Sequence, residues 1–328
     1  MEIKNSVVVI TGASGGIGRA TALELAKQGA NLVLVARREE ALEELVNECE
    51  NFGTEALAIP TDVSIESHVA AIVPRAIDRF GKIDVWINNA AVSAAGHFEE
   101  IPMEDFKRVI DINLYGYIYG AKAIIPYFKK QGKGMLINVS SIVAISGEPY
   151  FSPYVISKFA IRGLGISLNQ ELQPYHIPVC TVLPGVIDTP LYNQAANFMG
   201  KPIIAPGEAI SAKEVAFAIG SLFASPQREI FVGGNGKLAA AANIIAPDLL
   251  DKLIQKRMFR DHFAQDQHAV STKGNLYDPV KKFASISGGW STDGISNKDV
   301  MKFIVPASLF AGAAIGLGFL LKRKTVAK

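Results

Sequence analysis

Short apolar runs and longer amphipathic stretches alternate between residues 7 and 232. The apolar runs are rich in β-branched residues and nearly free of polar ones, as expected of strands buried on both faces of a sheet. They predict strands at residues 7–10, 32–36, 56–59, 85–88, 135–139, 179–183 and 229–232. Helical patterns such as 19–28 and 39–52 lie between most of them. This alternation predicts an α/β fold, with a doubly wound parallel sheet of about seven strands and helices on both faces.

The pattern changes after Gly233. Residues 235–290 contain no clear strand, and residues 248–263 have the spacing of an amphipathic helix. Residues 285–297 are rich in Gly and Ser, which is typical of a linker. We therefore predict a core domain at 1–234, a helical extension at 235–284, a linker at 285–302, a hydrophobic helix at 303–321 and a basic tail at 322–328.

The segment 303–321 contains no charged residue. As a helix it would be about 28 Å long, close to the thickness of a bilayer core. Small residues recur every four positions at Ser308, Gly312 and Gly316, which suits close helix packing in a membrane. We expect membrane association through this segment, with the catalytic domain in the cytoplasm. The alternative is a soluble cytoplasmic protein in which the segment is a buried helix at an oligomer interface. In both cases we expect a homo-oligomer.

The positions of the charges bear on how the segment would insert. The basic residues Lys322, Arg323, Lys324 and Lys328 follow it and would prefer the cytoplasmic side of a membrane. A single span from a cytoplasmic domain places them on the other side. A hairpin-like or interfacial insertion would remove this conflict.

Charge and cysteine content exclude several classes of function. The 328 residues carry 33 basic and 31 acidic side chains, for a net charge of +2, so we expect no nucleic-acid partner. The two cysteines, Cys49 and Cys180, fit no metal or disulfide spacing. The five histidines also lack ligand spacing, and we interpret them as surface or loop residues. No metal is expected, and the first residues show no secretory signal.

A glycine-rich loop follows the first predicted strand and leads directly into a helix. Its sequence from Thr11 to Gly18 is TGASGGIG. A dinucleotide pyrophosphate must approach backbone N–H groups at a helix N-terminus, where a Cβ atom would block it. A glycine cluster alone is a weak signal, but this one has the strand–loop–helix context that the motif requires. The loop therefore predicts a dinucleotide site on a Rossmann-like sheet.

The end of the second strand indicates which cofactor binds. NAD enzymes tend to carry an acidic side chain there for the ribose 2′-hydroxyl, whereas this chain has Arg37 and Arg38. A guanidinium can pair with a 2′-phosphate through two hydrogen bonds. We expect NADP(H) rather than NAD(H), with Arg37 as the phosphate ligand. The alternative is that both arginines only begin a solvated helix.

Tyr154 and Lys158 are four residues apart, so on a helix they share one face. A free tyrosine has a pKa of about 10, and a nearby cation would lower it. The pair is thus a plausible acid/base unit. Together with the glycine loop, in this order, it resembles the classical short-chain dehydrogenase/reductase family over about residues 6–233.

The resemblance implies a catalytic tetrad of Asn113, Ser141, Tyr154 and Lys158. Ser141 would position the substrate oxygen, Tyr154 would transfer its proton, Lys158 would lower the Tyr154 pKa and hold the nicotinamide ribose, and Asn113 would hold a water in the proton relay. Asp62 resembles the family's adenine-contacting acid and Thr189 its nicotinamide-contacting residue. The full set of expected cofactor-binding residues is Gly12, Ser14, Gly16, Ile17, Gly18, Arg37, Asp62, Asn89, Tyr154, Lys158, Pro184, Gly185 and Thr189. The sequence departs from the family pattern at Ala91, where glycine is usual.

These features predict an oxidoreductase that transfers a hydride between NADP(H) and a carbonyl or secondary alcohol. The segments 91–97, 142–151 and 191–205 contain many apolar residues, which favours an apolar small-molecule substrate, although the same residues would also suit an ordinary core. A different class of function remains as the alternative, a non-catalytic nucleotide-sensing scaffold that kept the fold.

Overall fold

The computed structural model of the chain describes residues 1–205, 209–233, 236–280 and 282–290. The strands are β1 (Val7–Thr11), β2 (Asn31–Ala36), β3 (Ala56–Pro60), β4 (Val85–Asn88), β5 (Ala94–Ala95), β6 (Met135–Val139), β7 (Val179–Pro184), β8 (Ile187–Asp188), β9 (Ala196–Asn197), β10 (Ile210–Ser211) and β11 (Glu229–Val232). Seven of them form one parallel sheet in the order β11-β7-β6-β4-β1-β2-β3. The predicted doubly wound parallel sheet is confirmed.

The helices cover both faces of this sheet. They are α1 (Gly16–Lys27), α2 (Glu39–Glu50), α3 (Glu66–Ala70), α4 (Ile72–Phe80), α5 (Met103–Ile110), α6 (Gly116–Gln131), α7 (Val143–Ser146), α8 (Ser152–Glu171), α9 (Leu191–Gln194), α10 (Ala212–Ala224), α11 (Gly236–Ile245) and α12 (Pro247–Asp261). The predicted amphipathic helix at 248–263 is α12, shifted by one or two residues.

The strands form because their side chains are buried on both faces. Every residue of β1 is buried, and successive side chains enter different cores. Val8 and Ile10 pack into the core beneath α1 and α10, whereas Val7 and Val9 pack into the core on the other face. This is why the sequence shows continuous apolar runs rather than alternation, and why the seven predicted strands end within one residue of the observed ones.

The strand order reverses direction between β1 and β4. In doubly wound sheets the crevice at such a switch point, beyond the carboxyl ends of the strands, binds ligands. Here the glycine loop follows β1, and Asn89 follows β4. The fold therefore brings together two of the segments that the sequence analysis singled out.

Among the helices of the described residues, none combines the length and apolar character needed to span a membrane. The predicted hydrophobic helix at 303–321 and the basic tail lie outside the described residues. Residues 285–290, the described start of the predicted linker, form hydrogen bonds to Asp188, just beyond the carboxyl end of β7.

Candidate active site

The glycine loop has the shape expected of a phosphate-binding turn. Gly12 and Gly16 have φ angles of +68° and +53°, a region that favours glycine. A Cβ on Gly12 would lie 2.7 Å from the Cα atom of Ala90, and one on Gly18 would lie 2.2 Å from the Gly12 carbonyl oxygen. The Asn89 side chain fixes the loop, because its Nδ2 donates to the carbonyls of Thr11 at 2.9 Å and Gly12 at 3.2 Å. The loop thus packs tightly against the segment that follows β4.

The outer side of the loop lines a cavity of about 840 Å³, within the usual range for ligand pockets. The cavity runs from the arginines after β2, past the loop, to the carboxyl ends of β6 and β7. It brings together most of the residues that the sequence analysis assigned to the cofactor. Those lining it are Gly12, Ser14, Gly16, Ile17, Arg37, Asp62, Asn89, Tyr154, Lys158, Pro184, Gly185 and Thr189. Gly18 does not line it and serves instead in the packing of α1 on the loop.

Arg37 lies at one end of the cavity, where its guanidinium already has protein partners. It donates to the backbone carbonyls of Asn275 at 2.6 Å, Leu276 at 3.3 Å and Tyr277 at 2.9 Å. Burial lowers the pKa of Arg37, and the positive charge of Arg108 lowers it further. Arg37 therefore uses part of its hydrogen-bonding capacity to hold residues 275–277 against the cavity.

Arg38 and Ser14 form a second link at the same end. The Arg38 Nη2 donates to the Ser14 carbonyl at 3.0 Å and to its hydroxyl at 3.1 Å, and Nη1 donates to the Val280 carbonyl at 3.0 Å. Burial lowers the pKa of Arg38, and the charge of Arg37 adds to this effect. Two guanidinium groups next to each other, each partly desolvated, favour an anionic ligand.

Asp62 lies where the resemblance places an adenine contact, but its carboxylate has a structural partner. Arg108 Nη2 donates to Oδ2 at 2.7 Å, and the backbone and hydroxyl of Ser64 donate to Oδ1 at 3.0 and 2.7 Å. Burial raises the pKa of Asp62, yet these hydrogen bonds outweigh it and leave the pKa below its usual value. Arg108 also donates to the Leu276 carbonyl at 2.9 Å. Because Asp62 binds the same guanidinium, it helps to anchor the chain at Leu276.

Helix α8 places Tyr154 and Lys158 on one face, as predicted. The Lys158 side chain is buried, with its Nζ 5.4 Å from the centroid of the Tyr154 ring and donating to the Val139 carbonyl at 2.9 Å. Burial lowers the pKa of Lys158 to about 7. The lysine is therefore only about half charged at neutral pH in the free protein.

Ser141 follows β6 and lies beside the phenol of Tyr154. The two side chains are hydrogen-bonding partners, and the Ser141 hydroxyl also accepts from the Val143 backbone N–H at 3.3 Å. Burial raises the pKa of Tyr154, the charge of Glu148 raises it further, and the hydrogen bond with Ser141 lowers it. Burial has the larger effect, so the pKa of Tyr154 lies above its ordinary value rather than below it as the sequence led us to expect. The phenol is protonated at neutral pH.

Asn113 lies in a short π-helical turn, Asp111–Tyr115, between α5 and α6. Its side-chain amide is fully engaged: Oδ1 accepts from the Val92 N–H at 2.8 Å, and Nδ2 donates to the Val92 carbonyl at 2.9 Å and the Ser157 hydroxyl at 3.1 Å. The side chain thus joins the loop after β4 to α8, one residue from Lys158. Such π turns interrupt the regular helix and are frequent at functional sites.

The segment after β7 also lines the cavity. Pro184 ends the strand, and the Gly185 N–H donates to the Val232 carbonyl at 2.9 Å. The neighbouring Asp188 is buried and accepts hydrogen bonds from the Ser287 hydroxyl at 2.6 Å and the Trp290 N–H at 2.9 Å. The Trp290 indole N–H reaches the Thr189 carbonyl at 3.2 Å.

The stretch that carries the loop and the tetrad matches a known protein family. A family model described as short chain dehydrogenase matches residues 6–199, which is more than half of the chain. The chain belongs to the short-chain dehydrogenase family. The departure at Ala91 is compatible with this assignment, because Ala91 is not among the residues with a positive φ angle.

Three similar proteins illustrate the range of this family. An uncharacterized oxidoreductase of Bacillus subtilis, YxnA, is 37% identical over 286 residues, which cover 84% of this chain and 79% of that protein. The 3-ketoacyl-(acyl-carrier-protein) reductase of Brucella melitensis, complexed with NADH, is 29% identical with a TM-score of 0.62, covering 69% of this chain and 93% of that one. An alcohol dehydrogenase of Thermococcus sibiricus, complexed with 5-hydroxy-NADP, is 30% identical with a TM-score of 0.61, covering 70% and 96%. This chain is therefore an oxidoreductase of the short-chain dehydrogenase type.

The described C-terminal residues lie across the nucleotide end of the cavity, which the sequence analysis did not predict. Besides the bonds to Arg37 and Arg38, the Ser285 carbonyl accepts from the Gly16 N–H at 3.0 Å. We call residues 275–290, apart from residue 281, the C-terminal strap. Backbone carbonyls of the strap make most of these contacts, so no side-chain pattern in the sequence could have indicated them.

Sequence reasoning also missed a polar pair at the other end of the cavity. His262, which was interpreted as a surface or loop residue, follows the end of α12 but is not on the surface: its side chain is 1% exposed, and it lines the cavity. It lies 2.9 Å from Glu148, whose side chain is 8% exposed. Their separation of 114 positions along the chain gave no local signal. Within the described residues, no group of three or more His, Cys, Asp or Glu side chains could hold a metal ion.

Proposed function

We propose that this enzyme transfers a hydride between NADP(H) and a carbonyl or secondary alcohol carbon of an apolar small molecule, with Tyr154 as the proton donor and acceptor. The observation that carries the proposal is the single cavity shared by the glycine loop and by Ser141, Tyr154 and Lys158. A scaffold that only sensed nucleotides would have no need for a protonated phenol beside a buried lysine.

The residues around the cavity fit a nicotinamide dinucleotide. A Cβ at Gly12 would collide with the backbone of Ala90, so glycine is required for the turn that presents the N-terminus of α1 to a pyrophosphate. Arg37 and Arg38 support NADP(H), because both guanidinium groups lie at the end of β2, the position where NAD enzymes tend to carry an acidic side chain. The strap carbonyls leave further N–H groups of Arg37 for a phosphate.

Each residue near the substrate oxygen would have its own role in the reaction. Ser141 would hold the substrate oxygen by a hydrogen bond, at the point where it now meets the Tyr154 phenol. The protonated Tyr154 would give its proton to that oxygen in reduction and take it back in oxidation. When bound, the cofactor supplies or accepts the hydride.

Lys158 and Asn113 would assist this proton transfer through their effects on Tyr154. An ammonium at Lys158, whose Nζ lies 5.4 Å from the centroid of the Tyr154 ring, would favour the phenolate that forms when the phenol gives up its proton. Asn113 holds the start of α8 to the loop after β4, and this bond keeps Tyr154 and Lys158 in position relative to the cofactor site. The lysine and the tyrosine therefore act as one unit.

The substrate end of the cavity supports an apolar substrate. Three side chains of α12, namely Leu250, Ile254 and Met258, line it. They recur every four residues, so one face of the helix forms an apolar wall. The sequence analysis placed this helix correctly but did not assign it to the site.

The test of the proposal is Tyr154→Phe, which keeps the ring and removes the proton. Turnover of ketones and aldehydes with NADPH should fall by about two to four orders of magnitude, the usual scale for losing a general acid. Binding of NADPH, measured by its fluorescence, should persist. The matched control is Tyr115→Phe, because Tyr115 is exposed on the surface. Near-normal turnover in Tyr154→Phe would refute the role of Tyr154, and a wild-type chain that binds NADPH but reduces no carbonyl compound in a broad panel would favour the scaffold alternative.

A further inference from the structure

The C-terminal strap lies directly on the glycine loop. The Ser285 carbonyl accepts from the Gly16 N–H at 3.0 Å. A Cβ atom built on Gly15 would lie 3.2 Å from the Phe283 carbonyl oxygen and 3.4 Å from the Ser285 carbonyl oxygen. Gly15 and Gly16 both line the cavity. Two carbonyls of the strap therefore cover the loop at the point where α1 begins.

The strap uses a backbone group that the cofactor would also need. Helix α1 begins at Gly16, so the Gly16 N–H is among the first N–H groups of the helix, which have no acceptor within it. Such groups bind the pyrophosphate in dinucleotide sites. A carbonyl oxygen and a phosphate oxygen are both acceptors, so they compete for this N–H. The carbonyl also presents the negative end of its dipole to an anionic ligand, which opposes binding of both at once.

A second set of contacts holds the strap beyond the carboxyl end of β7. The carboxylate of the buried Asp188 accepts from the N–H groups of Gly288 and Trp290 at 2.9 Å each, and from the Ser287 hydroxyl at 2.6 Å. A Cβ atom on Gly288 would lie 2.3 Å from the Thr189 carbonyl oxygen. Glycine at 288 therefore lets the strap lie against Thr189, the residue to which the sequence analysis assigned a nicotinamide contact.

The two parts of the strap are anchored differently. In the first part Leu276 is fully buried, and the Tyr277 hydroxyl donates to Asp105 at 2.9 Å. In the second part, residues 282–290, four of the nine residues are exposed, namely Lys282, Ser285, Ser287 and Gly289. The second part has little buried apolar surface to hold it, so it can separate from the loop while the first part stays in place.

We propose that residues 282–290 form an autoinhibitory gate, which closes the dinucleotide site in the free enzyme and is displaced from Gly16 and Thr189 when the cofactor binds. A charged phosphate forms a stronger hydrogen bond with the Gly16 N–H than the neutral Ser285 carbonyl does, so the cofactor opens the gate. The apparent affinity for the cofactor is the affinity of the open site reduced by the fraction of molecules that are open. This inference rests on the proposed function, because it concerns the same dinucleotide site.

Gly288→Ala tests the gate through equilibrium binding of NADPH, measured by its fluorescence. The added methyl group does not fit against the Thr189 carbonyl while the gate is closed, so the substitution destabilises the closed state. NADPH should therefore bind about 5- to 100-fold more tightly than to the wild type. Gly163→Ala is the matched control and should leave the affinity unchanged, because a Cβ atom there meets nothing within 4 Å. Ser287→Ala, which removes the hydroxyl bonded to Asp188, should shift the affinity in the same direction if Gly288→Ala does not fold. Equal or weaker binding in the folded variants would overturn the proposal.

Hydrogen exchange of the wild-type protein tests the direction of the movement without a substitution. The N–H groups of Gly288 and Trp290 are bonded to Asp188, so the closed gate protects them from exchange. Saturating NADPH should make both exchange faster, whereas a strap that closed over the bound cofactor would make them exchange more slowly.

The outcomes separate the gate from the proposed function. If NADPH binds and carbonyl compounds are reduced, but exchange at 288 and 290 is slower or unchanged, the gate is refuted and the proposed function stands. If Gly288→Ala binds NADPH more tightly and exchange is faster, but no carbonyl compound is reduced, the gate stands and the proposed function fails. If neither the wild type nor the variants bind NADPH, both are refuted.

Discussion

Replacing Lys158 by Met tests whether burial has removed much of its charge. The folded protein lowers the Lys158 pKa from 10.5 to about 7, because the ammonium is desolvated beneath Tyr117 and Tyr154. In the unfolded chain the lysine regains its ordinary pKa. Between about pH 7 and 10.5 the unfolded state therefore binds more protons than the folded state, and the stability of the wild type should rise with pH through this window.

The size of this effect follows from the two pKa values. Below pH 7 both states are protonated and the folded state bears the full cost, about 5 kcal/mol at about 1.4 kcal/mol per pKa unit. As the pH rises from 7 to 9, about 2 kcal/mol of that cost is relieved. The buried thiols of Cys49 and Cys180, whose pKa values burial raises to about 12, act in the opposite direction but less strongly over this range.

Urea unfolding of the wild type and Lys158→Met at pH 7 and pH 9 measures the effect. The difference between the two proteins cancels the contributions of the cysteines and of all other groups that they share. The wild type should gain about 2 kcal/mol relative to Lys158→Met on going to pH 9. Loss of the bond from Lys158 to the Val139 carbonyl adds a constant offset that does not depend on pH. Parallel pH profiles would show that Lys158 remains charged and would refute the reasoning.

Two further predictions concern the cofactor preference set by Arg37 and the uncharged segment 303–321. Arg37→Asp should raise the KM for NADPH by about 10- to 100-fold through loss of a charge-assisted contact, and it should raise the KM for NADH less. Arg75→Asp is the control, because Arg75 is exposed. A wild type that already prefers NADH would contradict this prediction. The full chain should sediment with membranes and resist carbonate extraction, whereas a chain ending at Asp299 should become more soluble, because it lacks the uncharged segment 303–321. A full chain that stays in the soluble fraction without detergent would rule out the anchor.

The parts of the fold that the sequence predicted well are those specified locally. A strand buried on both faces must be apolar at every position, so β1 and β7 were visible from their own residues. The turn at Gly12 has a positive φ angle and lies against backbone, which leaves little choice but glycine. Tyr154 and Lys158 share a face because helix geometry fixes residues four apart. Each of these inferences needed no knowledge of distant parts of the chain.

The parts that were missed depend on contacts between distant segments. Asp62 lines the cavity as expected, but the sequence did not indicate its pairing with Arg108, 46 positions away. The strap binds Arg37 through backbone carbonyls, which every residue has, so its side-chain pattern gave no sign of these contacts. His262 lacked ligand spacing because its partner, Glu148, comes from another element altogether. Burial of the Tyr154 phenol, which outweighs the hydrogen bond that lowers its pKa, is likewise a property of the assembled fold.

The reaction type and the substrate specificity depend on different parts of the chain, so the family assignment does not identify the substrate. Residues 6–199, which match the family, contain the glycine loop and the residues Ser141, Tyr154 and Lys158 to which we assign the reaction. The apolar wall of α12 and His262 lie beyond that match, yet they line the same cavity. Fold and catalytic groups are shared by many enzymes, whereas specificity depends on the segments that close the site. In this chain that segment is α12, so we expect substitutions at Leu250, Ile254 or Met258 to change which alcohol or ketone is accepted.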